Sequence, residues 1–486
     1  MSRPPPSSSE RPPAPWYNHT LMSSNSVLFV LPNINGTYAD AYSFGLASIA
    51  SVARDKGWDY QYVILKRPED CEAVVHRVAA ERPKVLAFST VSSQFSFVKD
   101  ISTQVRAELG AGIVQICGGV HATISPECVL EAPGLDGIFI GEGEGAFCDF
   151  LDRVAAGTSF RDVKNFAYAD GGQVRKNPLY PQVKDLDSLP YPERERYGYQ
   201  RFIDQDGYAT FFFSRGCPYQ CTYCSNHALA AAYGLKVNIP RYRSPTKSVE
   251  EIKELQRQRY RFGKVFVDDD TFGVDRDWTR EFCDRYAREV ALPLVCQLRV
   301  NLVNDELMKN LKRAGCVHVS CGVESGNEHI RNTVMKRNLT ERQIVEAYAL
   351  FKRYGFTSNA INLIGLPDET QESVWDTINL NRRIDPTSSG VNIFYPYRGT
   401  VLGDQCFARG LIDKDEYHGF SKERRESILN FPPEFRKRLI YFHRNWQYLV
   451  YQRRPAKLAR MLLAKHAQQS LPGVWNALKK LKAGLA

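Results

Sequence analysis

The chain has 486 residues, 43% of them hydrophobic, with 64 Lys and Arg against 54 Asp and Glu for a net charge of +10. That length and apolar content allow two or three domains with full cores, and no apolar run reaches the roughly 18 residues a membrane span needs. Twelve Cys scattered along the chain exclude a disulfide-stapled secreted fold and fit a reducing compartment, so a cytoplasmic location is expected.

Residues 1–25 read as a disordered tail, a Pro/Ser run with Arg3 and Arg11 and without the apolar core of a signal peptide. From 26 to 156, apolar runs at 27–31, 60–64, 85–88, 113–117 and 137–140 alternate with amphipathic stretches. This alternation predicts a doubly wound parallel sheet, which binds ligands beyond the carboxyl ends of its strands. Polar and glycine-rich segments fall at those ends: Ser89-Thr90-Val91-Ser92-Ser93-Gln94, Gly118-Gly119-Val120-His121 and Gly141-Glu142-Gly143-Glu144. Glycines there admit a large ligand close to the backbone, and hydroxyls satisfy its polar edges.

Over 157–208 the period is lost. Residues 166–175 read as a hairpin turning at Asp170-Gly171-Gly172, and Leu189-Pro190-Tyr191-Pro192 as extended chain, together an ordered bridge. From 209 to 400 the alternation returns, with strands expected at 209–214, 264–267, 295–299, 317–322, 358–364 and 390–394. Six such units predict a partial (β/α)6 barrel, active at the strands' C-terminal ends. Those ends carry Asp268-Asp269-Asp270, Arg299-Val300-Asn301, Gly322-Val323-Glu324-Ser325-Gly326 and Ile364-Gly365-Leu366-Pro367. Residues 401–486 read as a C-terminal helical region rich in aromatics and Arg. Its expected role is a cap over the substrate, with a basic interfacial helix for anionic lipid as the competing reading.

The sharpest signal is Cys217, Cys221 and Cys224, a CxxxCxxC loop directly after an apolar run. Three thiolates so spaced hold three irons of a [4Fe–4S] cluster and leave the fourth without a protein ligand, the plain alternative being three buried structural thiols. With Tyr223 just before the last Cys, the loop resembles the radical S-adenosylmethionine (SAM) signature, which implies SAM chelating the open iron. The same resemblance assigns Tyr223 to adenine through its backbone and Glu324 and Ser325 to the ribose and aminocarboxylate region. Asp268 or Asp269 falls to the ammonium, and Arg299 to the carboxylate side. The acidic triplet reads alternatively as charge at a helix N-terminus.

The order of Tyr42-Ser43-Phe44-Gly45-Leu46-Ala47, then Gly118-Gly119-Val120-His121-Ala122, then Gly141-Glu142-Gly143-Glu144, all before the Cys loop, resembles the cobalamin-dependent radical SAM enzymes across residues 26–400. Cobalamin contacts are then implied for Gly118, Gly119, His121, Gly141, Glu142 and Gly143. The Asp-x-His-x-x-Gly loop of mutase-type domains is absent. The resemblance accordingly implies a lower cobalamin face without His, next to Ser89, Thr90, Ser92 or Ser93. The bland readings are a flavodoxin-like domain that has lost its ligand, a loop-packing His121, and Glu142 and Glu144 as a solvated pair or helix caps.

The two resemblances together imply a radical methylase. It would use a [4Fe–4S] cluster, SAM and cobalamin to methylate an unactivated carbon of a small-molecule or natural-product substrate, with a flavodoxin- or ferredoxin-type electron donor. An oxidative cyclase or rearrangement enzyme would share these cofactors. A tRNA methylthiotransferase would share the barrel. Against the latter, Cys71, Cys117, Cys128 and Cys148 fall outside that family's auxiliary-cluster pattern, and no compact RNA-binding β-domain follows the barrel, so no nucleic acid is expected.

Overall fold

The structure, a computed structural model, describes residues 22–34, 42–413, 416–417, 420 and 422–470; the expected tail before residue 22 lies outside them. Two compact units form: residues 22–34 with Ile49–Tyr180, and 42–48 with the described residues from 181 onward.

The first unit is a seven-stranded sheet of β1 (Ser26–Pro32), β2 (Asp59–Leu65), β3 (Val85–Ser89), β4 (Val114–Gly118), β5 (Gly137–Phe139), β6 (Phe166–Asp170) and β7 (Gln173–Lys176). Its order is β2-β1-β3-β4-β5-β6-β7, parallel through β5. Val27, Leu28 and Val30 are wholly buried, as a strand covered on both faces requires. Strand order reverses between β1 and β3, the switch point at which doubly wound sheets bind ligands. The hairpin turns at Gly171 and Gly172, both at positive φ. It pairs antiparallel with β5 and so extends this sheet instead of bridging away from it.

The second unit holds β8 (Ala209–Phe211), the short antiparallel pair β9 (Ser214–Arg215) and β10 (Arg241–Tyr242), and then β11 (Val265–Phe272), β12 (Leu294–Leu298), β13 (Cys316–Glu324), β14 (Thr357–Ile364) and β15 (Ser388–Ile393). Strands β8 and β11 to β15 make one parallel sheet in chain order, the partial (β/α)6 arrangement. Two strands differ from expectation for one reason. The Asp269 carboxylate accepts from the N–H groups of Phe213 (2.6 Å) and Ser214 (3.1 Å), removing them from the ladder, and β8 stops at Phe211. Asp269 can do so because β11 runs past Val267, through a register shift, to the buried Phe272. The acidic triplet therefore lies on an irregular strand end. The following helix has its own cap, Asp275, which accepts from Trp278 N–H at 2.9 Å, so the helix-terminus reading of the triplet is set aside.

The helix Pro433–Tyr451 buries Leu439, Phe442, Trp446 and Leu449, one face at three- and four-residue spacing. Trp446 Nε1 donates to Ser389 Oγ at 2.8 Å and Tyr451 Oη to Pro386 O at 3.0 Å. These contacts lay the helix along β15 down to that strand's amino end. Its aromatic face covers the edge of the sheet, where a cap closing over the strand ends was expected. Among the described residues no helix is long and apolar enough to cross a membrane.

Candidate functional site

The Cys loop leaves β9 through Gly216, whose φ of +101° and approach to Asn238 (an added Cβ would sit 2.8 Å from Oδ1) admit only glycine. Thr222 then pins the loop: its hydroxyl donates to Val334 O at 2.7 Å, its N–H to Met335 O at 3.2 Å, and its carbonyl accepts from Leu402 N–H at 2.9 Å. Cys217 Sγ lies 3.4 Å from Thr271 Oγ1, and Arg299 Nη1 donates to Cys221 Sγ at 3.4 Å. The Arg299 guanidinium stacks 3.9 Å over Tyr219, whose hydroxyl accepts from Asn301 at 2.8 Å. Cys224 is the N-cap of the helix Ser225–Ala232. Burial pushes its thiol up to about 12, with the charges of Cys221 and Cys217 adding to the rise. A cationic iron centre reverses that preference, because thiolate is the form that binds metal. No set of three His, Cys, Asp or Glu among the described residues is gathered tightly enough for a single ion. The charges of Cys221 and Cys217 are both felt at Cys224, so the three thiols share one neighbourhood.

Beside the loop lies a buried charged group that the sequence did not single out. Arg337 Nη1 donates to Tyr223 Oη at 2.8 Å and Nη2 to Gly322 O at 2.6 Å, with Glu324 Oε1 3.5 Å from Nη1. The Arg337 carbonyl accepts from Arg299, so one residue ties both arginines to the Cys loop. Glu324 holds φ of +66°, and an added Cβ at Gly322 would meet its Oε1 at 2.3 Å. Ser325 is wholly buried, its hydroxyl accepting from Asn327 N–H and its carbonyl from Arg331, so it shapes the turn. Asp268 accepts from Gln297, and burial pushes it up to about 6; burial pushes Asp269 up to about 7. Buried atoms without a hydrogen-bond partner among the described residues include Asp269 Oδ2 and the Nε atoms of Arg299 and Arg337. Such orphaned groups fit a site that a polar ligand completes.

After β14 the Glu369 carboxylate accepts from Gly365 and Leu366 N–H, and burial pushes it up to about 8 from an ordinary 4.5. The folded chain thus holds a proton that the unfolded chain loses near pH 4.5, and stability falls as pH rises from there to about 8. Glu369→Gln, which keeps the acceptor, is expected to stabilise by roughly 2–4 kcal/mol at high pH and little at low pH. Denaturant melts at the two ends of that window check this, and an equal effect at both would contradict it.

In the first unit the strand-end loops lock to one another. Thr90 N–H donates to Gly118 O and His121 N–H to Thr90 O. Gly119, at φ of +97°, lies so close that an added Cβ would sit 2.7 Å from Thr90 O. Thr123 Oγ1 donates to Gly119 O and accepts from Gly141 N–H, each at 3.0 Å, joining the loops after β4 and β5. His121 is buried, with Nδ1 3.0 Å from Ser92 Oγ and its ring against Phe95. Ser89, Ser92, Ser93, Gly118, Glu142 and Gly143 stay partly exposed beside Val91, which is 40% exposed, whereas Thr90 is buried. A Cβ at Gly118 would meet nothing within 4 Å. Hydroxyls, an apolar side chain and open backbone at the switch point fit a large ligand with polar edges. Two residues outside the motifs hold this rim. Gln94 clamps Ile34 through both backbone groups, and Asn165, at φ of +65°, donates to Ile140 O and Glu142 O. The stretch Tyr42–Ala47 groups with the second unit, where Tyr42 Oη donates to Glu193 O at 2.6 Å.

Residues 211–380 match the radical SAM superfamily and residues 32–151 the B12 binding domain. The chain belongs to the cobalamin-dependent radical SAM enzymes, and its cofactors are a [4Fe–4S] cluster, SAM and cobalamin. An uncharacterized methyltransferase of Pyrococcus horikoshii is 28% identical over 315 residues, 64% of this chain and 66% of that protein. The anaerobic magnesium-protoporphyrin IX monomethyl ester cyclase of Rubrivivax gelatinosus is 26% identical over 417 residues, 82% and 72% of the two chains. The structure of the radical SAM methyltransferase TsrM from Kitasatospora setae, with tryptophan and a SAM analogue bound, superposes with a TM-score of 0.63 at 18% identity, covering 79% of this chain and 76% of that one.

Proposed function

We propose that this enzyme methylates an unactivated carbon of a small-molecule substrate, fed by a flavodoxin- or ferredoxin-type donor in a reducing, cytoplasmic setting. The observation that carries the reading is the pairing, in one chain, of the three-thiol loop after β9 with open strand-end loops at a B12-type switch point. When bound, the cluster with SAM supplies a 5′-deoxyadenosyl radical and cobalamin supplies a methyl group.

The chain's own residues hold and orient. Cys217, Cys221 and Cys224 would ligate the cluster, with the Arg299 guanidinium beside Cys221 offsetting thiolate charge. Arg299 and Arg337 each keep an unused Nε near the loop, donors suited to a carboxylate of SAM. Tyr223, held by Arg337, would place its backbone toward adenine. Glu324 and Asp268 present carboxylates at the ends of β13 and β11 for ribose and ammonium groups, while Asp269 and Ser325, already engaged with backbone, position the loops. In the first unit Ser89, Ser92 and Ser93 would meet the lower face of cobalamin, with Gly118 and Gly141 to Gly143 along its edge. Thr90, Gly119 and His121 set the loop geometry.

Turnover of this kind uses one SAM as radical source and another to restore the methyl group. Equal amounts of 5′-deoxyadenosine, S-adenosylhomocysteine and methylated product are therefore expected in an anaerobic assay. Product with 5′-deoxyadenosine but no S-adenosylhomocysteine would instead support an oxidative cyclase, the second reading, which the long match to the R. gelatinosus cyclase favours.

A further inference from the structure

After Glu434 the chain carries twelve Lys and Arg and no Asp or Glu through Ala486, whereas the 434 residues before carry 52 basic and 54 acidic. The whole positive excess lies in this last stretch, and in its described part Lys437, Arg444, Arg453, Arg454 and Arg460 stand exposed. On the helix Pro433–Tyr451 the face opposite the buried Leu439, Phe442 and Trp446 presents Lys437, Tyr441, Arg444 and Tyr448, at steps of four, three and four residues. Tyr441 is 40% and Tyr448 51% exposed. Where this helix ends, Arg382, Arg383, Arg453 and Arg454 line a surface recess. The carboxylate there, Asp385, is already engaged by Lys457 at 2.8 Å and Arg454 at 3.4 Å. The next helix, Pro455–Ser470, turns Leu458 and Met461 to the core and leaves Leu462 and Leu463 50% and 68% exposed.

Lys437 pairs with Glu434 and Arg383 with Glu341, whereas Arg444, Arg453 and Arg460 make no ion pair among the described residues. Exposed leucines, half-exposed tyrosines and such arginines are what an anionic bilayer surface selects: apolar groups enter the acyl boundary, tyrosines lie at headgroup level, and cations pair with phosphates. A polyanion such as RNA would use the charge but gives the two leucines nothing to enter. A second copy of so basic a face would be repelled. We propose that this C-terminal face is a peripheral docking surface for anionic lipid membranes. The arginine recess and the helix Pro455–Ser470 begin at the amino end of β15, where Tyr451 meets Pro386.

The test uses the full-length holoenzyme in sedimentation with vesicles of phosphatidylcholine alone, and of phosphatidylcholine with about one third phosphatidylglycerol. Binding is expected only to the anionic vesicles, weakening with added salt. Reversing the exposed Arg444, Arg453 and Arg460 to Glu is expected to weaken it at least about ten-fold, with cluster and corrinoid absorbance unchanged. Should that variant fail to fold, Leu462→Ser with Leu463→Ser, at open positions, is expected to weaken binding while keeping the salt dependence. Equal binding to both vesicles, no binding, binding unaffected in a folded variant of either kind, or tighter binding to a single-stranded RNA than to anionic vesicles would each overturn the proposal.

Discussion

Replacing Cys217, Cys221 or Cys224 singly by Ala is expected to abolish the iron–sulfur absorbance near ~400 nm and all SAM cleavage, since on the proposed reading each is one of three protein ligands to the cluster. The loop gives no substitute. Its path is set by Gly216, by the three backbone and hydroxyl bonds of Thr222, and by the helix starting at Cys224. Another thiol cannot swing in without breaking those bonds, and Cys71, in the other compact unit, serves as the control that should keep iron and activity. Retained iron and SAM cleavage in Cys221→Ala would overturn the assignment.

Arg337→Ala is expected to destabilise the chain by about 3–5 kcal/mol, because it leaves the Glu324 carboxylate and the Tyr223 hydroxyl buried without their cation. Burial already raises Glu324, with Arg337 as the principal opposing influence. The same change removes the donor to Gly322 O. Arg337→Lys keeps a charge but loses the fork that reaches both Tyr223 and Gly322, so it should recover only part of the loss. Denaturant unfolding of the three proteins measures this; an Ala variant within about 1 kcal/mol of the parent would show that Glu324 needs no partner there.

The parts legible in the sequence are those whose cause is local. Cys217 to Cys224 are one loop, Gly118 and Gly119 end one strand, and the apolar runs mark both sheets because a strand buried on two faces has little choice of residue. What escaped is set by residues far apart. Arg337 acts on Tyr223 across 114 positions, and a single buried Arg leaves no periodic mark. The end of β8 at Phe211 depends on a carboxylate 55 residues beyond Ser214. Asn165 carried only a weak signal, an Asn poised before a strand, which tolerates the left-handed conformation it adopts. The aromatics of Pro433–Tyr451 gave a helix by spacing, but spacing cannot say which surface the helix covers, and Ser389 and Pro386 decide that.

The most direct test of the central claim is methyl transfer itself, followed with SAM labelled at its methyl carbon under anaerobic, reducing conditions. Label is expected on a substrate carbon in step with S-adenosylhomocysteine, present with cobalamin-loaded enzyme and absent without cobalamin. Altered product that carries no label, formed with 5′-deoxyadenosine and no S-adenosylhomocysteine, would contradict it.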